Sequence, residues 1–246
     1  MKVFAPQYYR DFRCIAGACR HSCCEGWEID IDSESLERYR NTSGELGDVL
    51  RANISCEGDP HFVLREGDRC PFLRADGLCR LIIEKGEDFL CQICSDHPRF
   101  RNFWNDRIEI GLGMACEEAA RLILSQTQPM RLIVLEDDGI DEGIPEDEEY
   151  LMEVREELLS GIAETGPRAR LLEYLIYRHI ADALYDDRLE ERIAFVRYAF
   201  EEITSACAED SIAALAEAAR DFSQRIEYNT EKQDEILDGF WTEEDA

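Results

Sequence analysis

Apolar residues recur at helical spacing through the second half of the chain and lose that regularity in the first. Tyr150-Leu151, Val154 and Leu158-Leu159 follow an acidic first turn, where carboxylates complement the positive end of a helix dipole, and predict one helix. Gly166-Pro167 opens a second, because proline is tolerated in a first turn. Its inward face carries Leu171, Leu172, Leu175, Ile176, His179, Ile180 and Leu184. A third begins near Asp186-Asp187 and turns Leu189, Ile193, Val196, Phe200 and Ile203 inward, and a fourth follows Ser211, a residue suited to capping. Helices of this length joined by short polar turns predict an antiparallel bundle.

The first half is built of shorter pieces. Asp32-Ser33 can cap a helix running to Tyr39, and residues 61–64 predict a strand. Residues 99–104 and 107–112 flank the turn Asn105-Asp106 as a hairpin in which Ile108 and Ile110 alternate with polar neighbours. Residues 116–124 return to helix. Pieces with so little apolar content predict that a metal replaces part of the core. The acidic stretch 136–149, with two glycines and a proline, shows no apolar period and reads as a seam. The expected fold is therefore mainly α with a small α+β part. A metal-stapled cysteine-rich domain (1–135) with short strands is joined by an acidic linker (136–149) to an antiparallel helical bundle (150–246).

Charge narrows the partners. Acids outnumber bases 55 to 27 in the 246 residues, for a net charge of −28. The imbalance is uneven: residues 1–120 hold 15 bases and 22 acids, the remainder 12 and 33. Such a surface repels phosphate backbones and anionic lipid, which excludes nucleic acid and membrane-surface roles, while a lysine-bearing protein meets a favourable field. The longest apolar run is the five residues 212–216, too short to cross a bilayer. The first residues lack a signal-peptide apolar stretch, so the expected compartment is the cytoplasm.

Chemistry concentrates in the cysteines. Of eleven, ten lie between Cys14 and Cys116. In a reducing compartment this density reads as metal or iron–sulfur ligation rather than disulfides. The spacing is Cys14-x4-Cys19-x3-Cys23-Cys24, then Cys70-x8-Cys79-x11-Cys91-x2-Cys94, with Cys116 beyond. Thiolates are soft donors that suit zinc or iron–sulfur clusters, and a Cys-x2-Cys turn presents two sulfurs to one centre. Adjacent cysteines in extended backbone point to opposite faces, so Cys23 and Cys24 suit two irons or two centres better than one tetrahedral zinc. Cys56 and Cys207 read as small buried thiols. The radical-type pattern Cys-x3-Cys-x2-Cys breaks at Gly26, and Gly111-Leu112-Gly113 lacks the third glycine of a dinucleotide loop. His179, on an apolar helix face, reads as a satisfied core residue, and His21 as a hydrogen-bonded loop residue.

Four stretches together carry a resemblance. They are residues 8–30, from Tyr8-Tyr9-Arg10-Asp11-Phe12 through Cys23-Cys24-Glu25-Gly26-Trp27; Cys70-Pro71-Phe72-Leu73 with Gly77-Leu78-Cys79; Leu90-Cys91-Gln92-Ile93-Cys94 with Pro98-Arg99; and Cys116-Glu117-Glu118-Ala119-Ala120-Arg121-Leu122. Over roughly the first 135 residues the chain resembles the flagellin lysine-N-methylase family, within a wider group of zinc- or iron-chelating cysteine-cluster proteins. It departs from the family pattern at Glu117, where members carry proline.

The resemblance implies a protein-lysine N-methyltransferase acting on flagellin. It also implies S-adenosylmethionine as cosubstrate and a cysteine-ligated [4Fe-4S] cluster, with zinc as the alternative. The positions it implies as ligands are Cys14, Cys19, Cys23, Cys24, Cys70, Cys79, Cys91, Cys94 and Cys116. A lysine ammonium must lose a proton before it attacks a methyl group. Glu25, Glu28, Asp30 and Asp32 flank the first cysteine group as candidate bases, with no single one assigned. The rival expectation is a non-catalytic zinc- or iron-binding module for protein interaction or redox sensing.

Overall fold

The computed structural model describes residues 1–140, 143–207, 209 and 211–240. The strands are β1 (Lys2–Pro6), β2 (Ile54–Ser55), β3 (His61–Phe62), β4 (Arg99–Phe103), β5 (Arg107–Leu112) and β6 (Leu132–Asp137). The helices of the first half are α1 (Ser33–Asn41), α2 (Gly44–Ala52), α3 (Arg80–Lys85), α4 (Gln92–Asp96) and α5 (Glu117–Leu124). Those of the second are α6 (Glu146–Ser160), α7 (Gly166–His179), α8 (Ala183–Asp186), α9 (Leu189–Ser205), α10 (Ile212–Phe222) and α11 (Thr230–Asp238). The chain is thus mostly helical with a small mixed sheet, and it divides into two compact units, Cys14–His97 and the combination of Met1–Arg13 with Pro98–Ala246.

The larger unit has a four-stranded sheet in the order β4-β5-β1-β6. β4 and β5 form the expected hairpin, β1 lies parallel to β5, and β6 is antiparallel to β1 with a bulge between Val3 and Phe4. The segments drawn from the sequence at 135 and 149 do not coincide with these units, because β6 carries the chain from 132 to 137 back onto β1. The seam therefore begins as a strand and ends as the first turn of α6, and Asp141 and Glu142 lie outside the described residues.

The hairpin turns an unexpected face inward. Glu109 is wholly buried and Gly111 is buried, whereas Ile108 and Ile110 are half-buried. Two observations account for this. Arg155 of α6 forms a two-pronged ion pair with Glu109, at 2.5 and 2.8 Å, and lies over the rings of Trp104 and Tyr177 at 4.9 and 5.7 Å. A Cβ at Gly111 would stand 2.1 Å from the Phe100 ring, so only glycine admits that ring.

Two of the helices that follow start where the sequence signals place them, whereas Asp186-Asp187 ends α8 and α9 starts only at Leu189. Ser211 accepts from the Ala214 amide, and Pro167 sits in the first turn of α7. α5, α7, α9, α10 and α11 share one apolar core with β5, and α7 is buried nearly all round. α9 buries Phe195, Val196, Ala199 and Ile203, while Ile193 and Phe200 only border the core. His179 is a core residue as expected but satisfied at one nitrogen only: its Nε2 lies 2.7 Å from Glu227 Oε1, at the end of a π-helical segment, Ser223–Glu227. Its buried Nδ1 has no hydrogen bond among the described residues and stands 3.5 Å from Asp182. The second oxygen of Glu227 accepts from the Tyr174 hydroxyl at 2.8 Å, and Arg178 Nε stands 3.5 Å from the first. Burial alone would raise the Glu227 pKa; Arg178 and His179 outweigh it and hold the carboxyl at about 2.

The smaller unit, Cys14–His97, has its own core. Ile29, Ile31, Leu46, Leu50, Leu73 and Leu81 surround a run of aromatic contacts, Tyr39–Phe89 at 5.2 Å, Tyr39–Phe62 at 5.8 Å and Phe62–Phe72 at 4.9 Å. Burying a Leu, Ile or Phe side chain contributes about 1.5–3 kcal/mol, so this core is a genuine source of stability. The predicted strand at 61–64 is real but short, pairing β3 with β2. Among the described residues no three or more His, Cys, Asp or Glu side chains form a group that could hold a metal ion. Metal stapling is therefore not a feature this structure displays.

Candidate functional site

Eight of the nine cysteines singled out from the sequence belong to the Cys14–His97 unit. Backbone pairing explains how distant ones meet. The Cys70 amide donates to the Cys24 carbonyl at 2.8 Å and the Gly26 amide to the Asp68 carbonyl at 3.0 Å, so the two segments run side by side. Gly26 turns there with φ of +87°, a conformation that favours glycine. Cys79 is carried back by a turn: Leu73 and Cys79 form an antiparallel bridge, and the Arg80 amide donates to the Phe72 carbonyl at 2.8 Å. Cys91 and Cys94 lie at the start of α4 and within it, where the Ser95 amide donates to the Cys91 carbonyl.

The thiols influence one another in a chain and a pair: Cys24 acts on both Cys23 and Cys70, and Cys91 on Cys94. The two sets also feel each other electrostatically: Cys94 is affected by Cys24 and Cys70, and Cys79 by Cys23 and Cys91. Crowding drives the acidities apart. Cys24 and Cys94 lower the pKa of Cys70 and Cys91 respectively. The partner Cys94 is pushed up, first by Cys91 and then by burial; Cys23, which is exposed, is pushed up chiefly by Cys24. At Cys24 the Cys23 thiol lowers the pKa, but Cys70, burial and neighbouring thiolate charge push it up to about 12. Several thiols that cannot all ionise together are the pattern a soft cation relieves.

The remaining cysteines differ in exposure and in their place in the chain. Cys14 is exposed, and its sulfur accepts from the Ala16 amide at 3.4 Å; Cys19 is half-buried. Cys116 lies in the other compact unit, at the start of α5. Cys56 is not the buried thiol expected: it is exposed, with Arg40 Nη2 3.2 Å from its sulfur. Cys207 is half-buried and donates to the Ile203 carbonyl at 3.3 Å.

The four flanking carboxylates also separate. Glu25 is paired with Arg69 at 3.0 Å, Glu28 stands 4.0 Å from His61 Nε2, and Asp30 is exposed. Asp32 is committed elsewhere. One oxygen accepts from the Ser35 amide at 2.9 Å, capping α1, and the other from the Gln92 amide at 2.8 Å. These bonds outweigh the effect of burial and hold its carboxyl below the usual range. A carboxylate so engaged is a poor proton acceptor, which removes it from the candidate bases.

The loop between Cys70 and Cys79 also walls an open concavity of about 490 Å³, within the size range of small-molecule sites. Pro71 and Phe72 line it along with Arg65, Arg74 and Arg80. Asp76 lines it too and pairs with Arg74 at 2.7 Å, while Arg80 pairs with Glu84 and Glu45 at 2.5 and 3.1 Å, which offsets two of the three positive charges.

Fold and site together describe a helical protein with a thiol-rich unit of its own, and sequence comparison gives that description relatives. Over 138 residues the chain is 30% identical to proteins named lysine-N-methylase from Salmonella choleraesuis (strain SC-B67) and Salmonella typhimurium (strain LT2), covering 53% of this chain and 34% of each. It is 29% identical over 138 residues to a protein named flagellar biosynthetic protein FliU from Salmonella muenchen, covering 53% of this chain and 81% of that one. The chain is thus related to the proteins its cysteine motifs resemble, and it spans about a third of the length of the two lysine-N-methylases. No family model matches it, and no solved structure matches it.

Proposed function

We propose that this chain methylates lysine side chains of a flagellar protein, with S-adenosylmethionine as methyl donor and an iron–sulfur cluster on the thiols of the Cys14–His97 unit. The relationship to proteins named lysine-N-methylase carries the reading. The donor set agrees with it: Cys23, Cys24, Cys70, Cys79, Cys91 and Cys94 are soft ligands within electrostatic reach of one another. Adjacent Cys23 and Cys24 suit two irons of one cluster better than a single tetrahedral zinc, because successive side chains leave the backbone in different directions.

When bound, a cluster supplies positive charge and a coordination position on iron. The chain's own residues supply the rest. Of the arginines lining the concavity, Arg65 suits the carboxylate of the methyl donor, since Arg74 is already paired with Asp76 and Arg80 with Glu84 and Glu45. Glu28 and Asp30 remain available to take the lysine proton, since Asp32 is committed to capping and Glu25 to Arg69. The acidic surface raises the local concentration of a lysine-bearing partner.

Anaerobic purification followed by iron, sulfide and zinc analysis tests the metal, and transfer of labelled methyl groups from S-adenosylmethionine to flagellin tests the activity. Iron with acid-labile sulfide and label on lysine is the expected result. A colourless protein with stoichiometric zinc overturns the cluster. An intact cluster with no label on lysine overturns the transferase reading and leaves a metal-binding interaction or sensor module.

A further inference from the structure

Three side chains of one helix converge on the four residues that lead into the Cys91-x2-Cys94 turn. α4 begins after Cys91, whose own side chain caps nothing. The missing cap comes from Asp32, sixty positions earlier, which accepts from the Gln92 amide while capping α1 with its other oxygen. Nearly two turns along α1, Arg38 Nη2 donates to the Leu90 carbonyl at 2.9 Å, and the neighbouring Tyr39 hydroxyl donates to the Phe89 carbonyl at 3.0 Å. The Arg38 guanidinium also lies 5.5 Å from the centre of the Phe89 ring. Residues 89, 90 and 92 are thus each held by α1 through a separate hydrogen bond. Cys91 itself is wholly buried, as is Tyr39.

We propose that α1 is a positioning element for the Cys91-x2-Cys94 turn, with Asp32, Arg38 and Tyr39 fixing its backbone and thereby where both sulfurs stand. The proposal rests on the reading of these thiols as ligands. An unheld Cys-x2-Cys turn can point its sulfurs in many directions, and each conformation lost on metal binding weakens the complex. A turn held beforehand avoids that loss. Residues that orient ligands in this way change metal affinity by about 10–100-fold when replaced.

Asp32→Ala removes both caps, since alanine offers no acceptor to the Ser35 and Gln92 amides. Tyr39→Phe removes the bond to the Phe89 carbonyl without changing the ring. Leu46→Ala, a core truncation in the same unit, serves as a control for general loss of stability.

Two measurements are made on the full chain as isolated: hydrogen exchange of the amides at 90–95, and the half-life of bound metal against a chelator. In both positioning variants the amides should exchange about fivefold faster or more, the effect of losing one cap. Metal should leave at least about tenfold faster than from the Leu46 variant. Unchanged amide protection overturns the clamp. Faster exchange with an unaltered metal half-life, or equal metal loss from the Leu46 variant, overturns its role in positioning. A wild-type protein isolated without metal overturns the ligand reading instead, and amide exchange then judges the clamp alone.

Discussion

Replacing Glu227 by glutamine should make the acid sensitivity of the larger unit fall in a calculable way. The carboxyl is held at about 2 in the folded protein against 4.5 for an ordinary glutamate, chiefly by Arg178 and His179 working against burial. A folded pKa below the unfolded one means stability that is complete above about pH 4.5 and lost as pH falls toward 2. The gap corresponds to about 3 kcal/mol, of which about 2 is gone by pH 3. Glutamine does not titrate, so the variant lacks this loss. It also leaves Arg178 without a full counter-charge, which costs about 3–5 kcal/mol near neutrality. Urea unfolding followed by far-ultraviolet circular dichroism, which reads the helices, gives both free energies. The wild type should exceed the variant by about 3–5 kcal/mol at pH 5.5, and the difference should shrink by about 2 kcal/mol at pH 3. A difference that stays constant across that interval refutes the assignment of Glu227 as the charged centre of the knot formed with Tyr174, Arg178 and His179.

Two further outcomes follow from close packing. Arg155→Ala strands the wholly buried Glu109 and should cost about 3–5 kcal/mol in urea unfolding, while Glu109→Leu combined with Arg155→Met should recover most of it. Gly47→Ala should lower the melting temperature although alanine favours helices by about 1 kcal/mol, because the new Cβ would meet the Thr42 carbonyl oxygen at 1.9 Å; a raised melting temperature would show that the turn between α1 and α2 gives way.

Signals confined to neighbouring residues were readable in the sequence. Asp32 caps α1, Ser211 caps α10, and the Asn105-Asp106 turn joins β4 to β5, each through groups only a few positions apart. What sequence spacing concealed was pairing over distance. β1 and β6 each look like ordinary short apolar runs, and only their mutual register and the parallel pairing with β5 make them strands of one sheet. The inward face of β5 was misread because Glu109 is burial-compatible only with Arg155, which is 46 positions away. Cysteine density located the thiol unit, and backbone pairing of 24 with 70 then decides which sulfurs meet. The second bond of Asp32 had no local signature, since its partner is the bare amide of Gln92.

The placement of β1 between β5 and β6 also sets an order of events during synthesis. β1 emerges early, but neither of its neighbours exists until residues 107–112 and 132–137 have been made. At a ribosomal pace of about 5–20 residues per second, its edges stay unpaired for on the order of ten seconds. The intervening unit, Cys14–His97, is contiguous and needs no later residue for its own core, so it can fold while β1 waits. The thiols of that unit are then gathered before the sheet closes, so reduced cysteines are crowded together on a chain whose remainder is still being made.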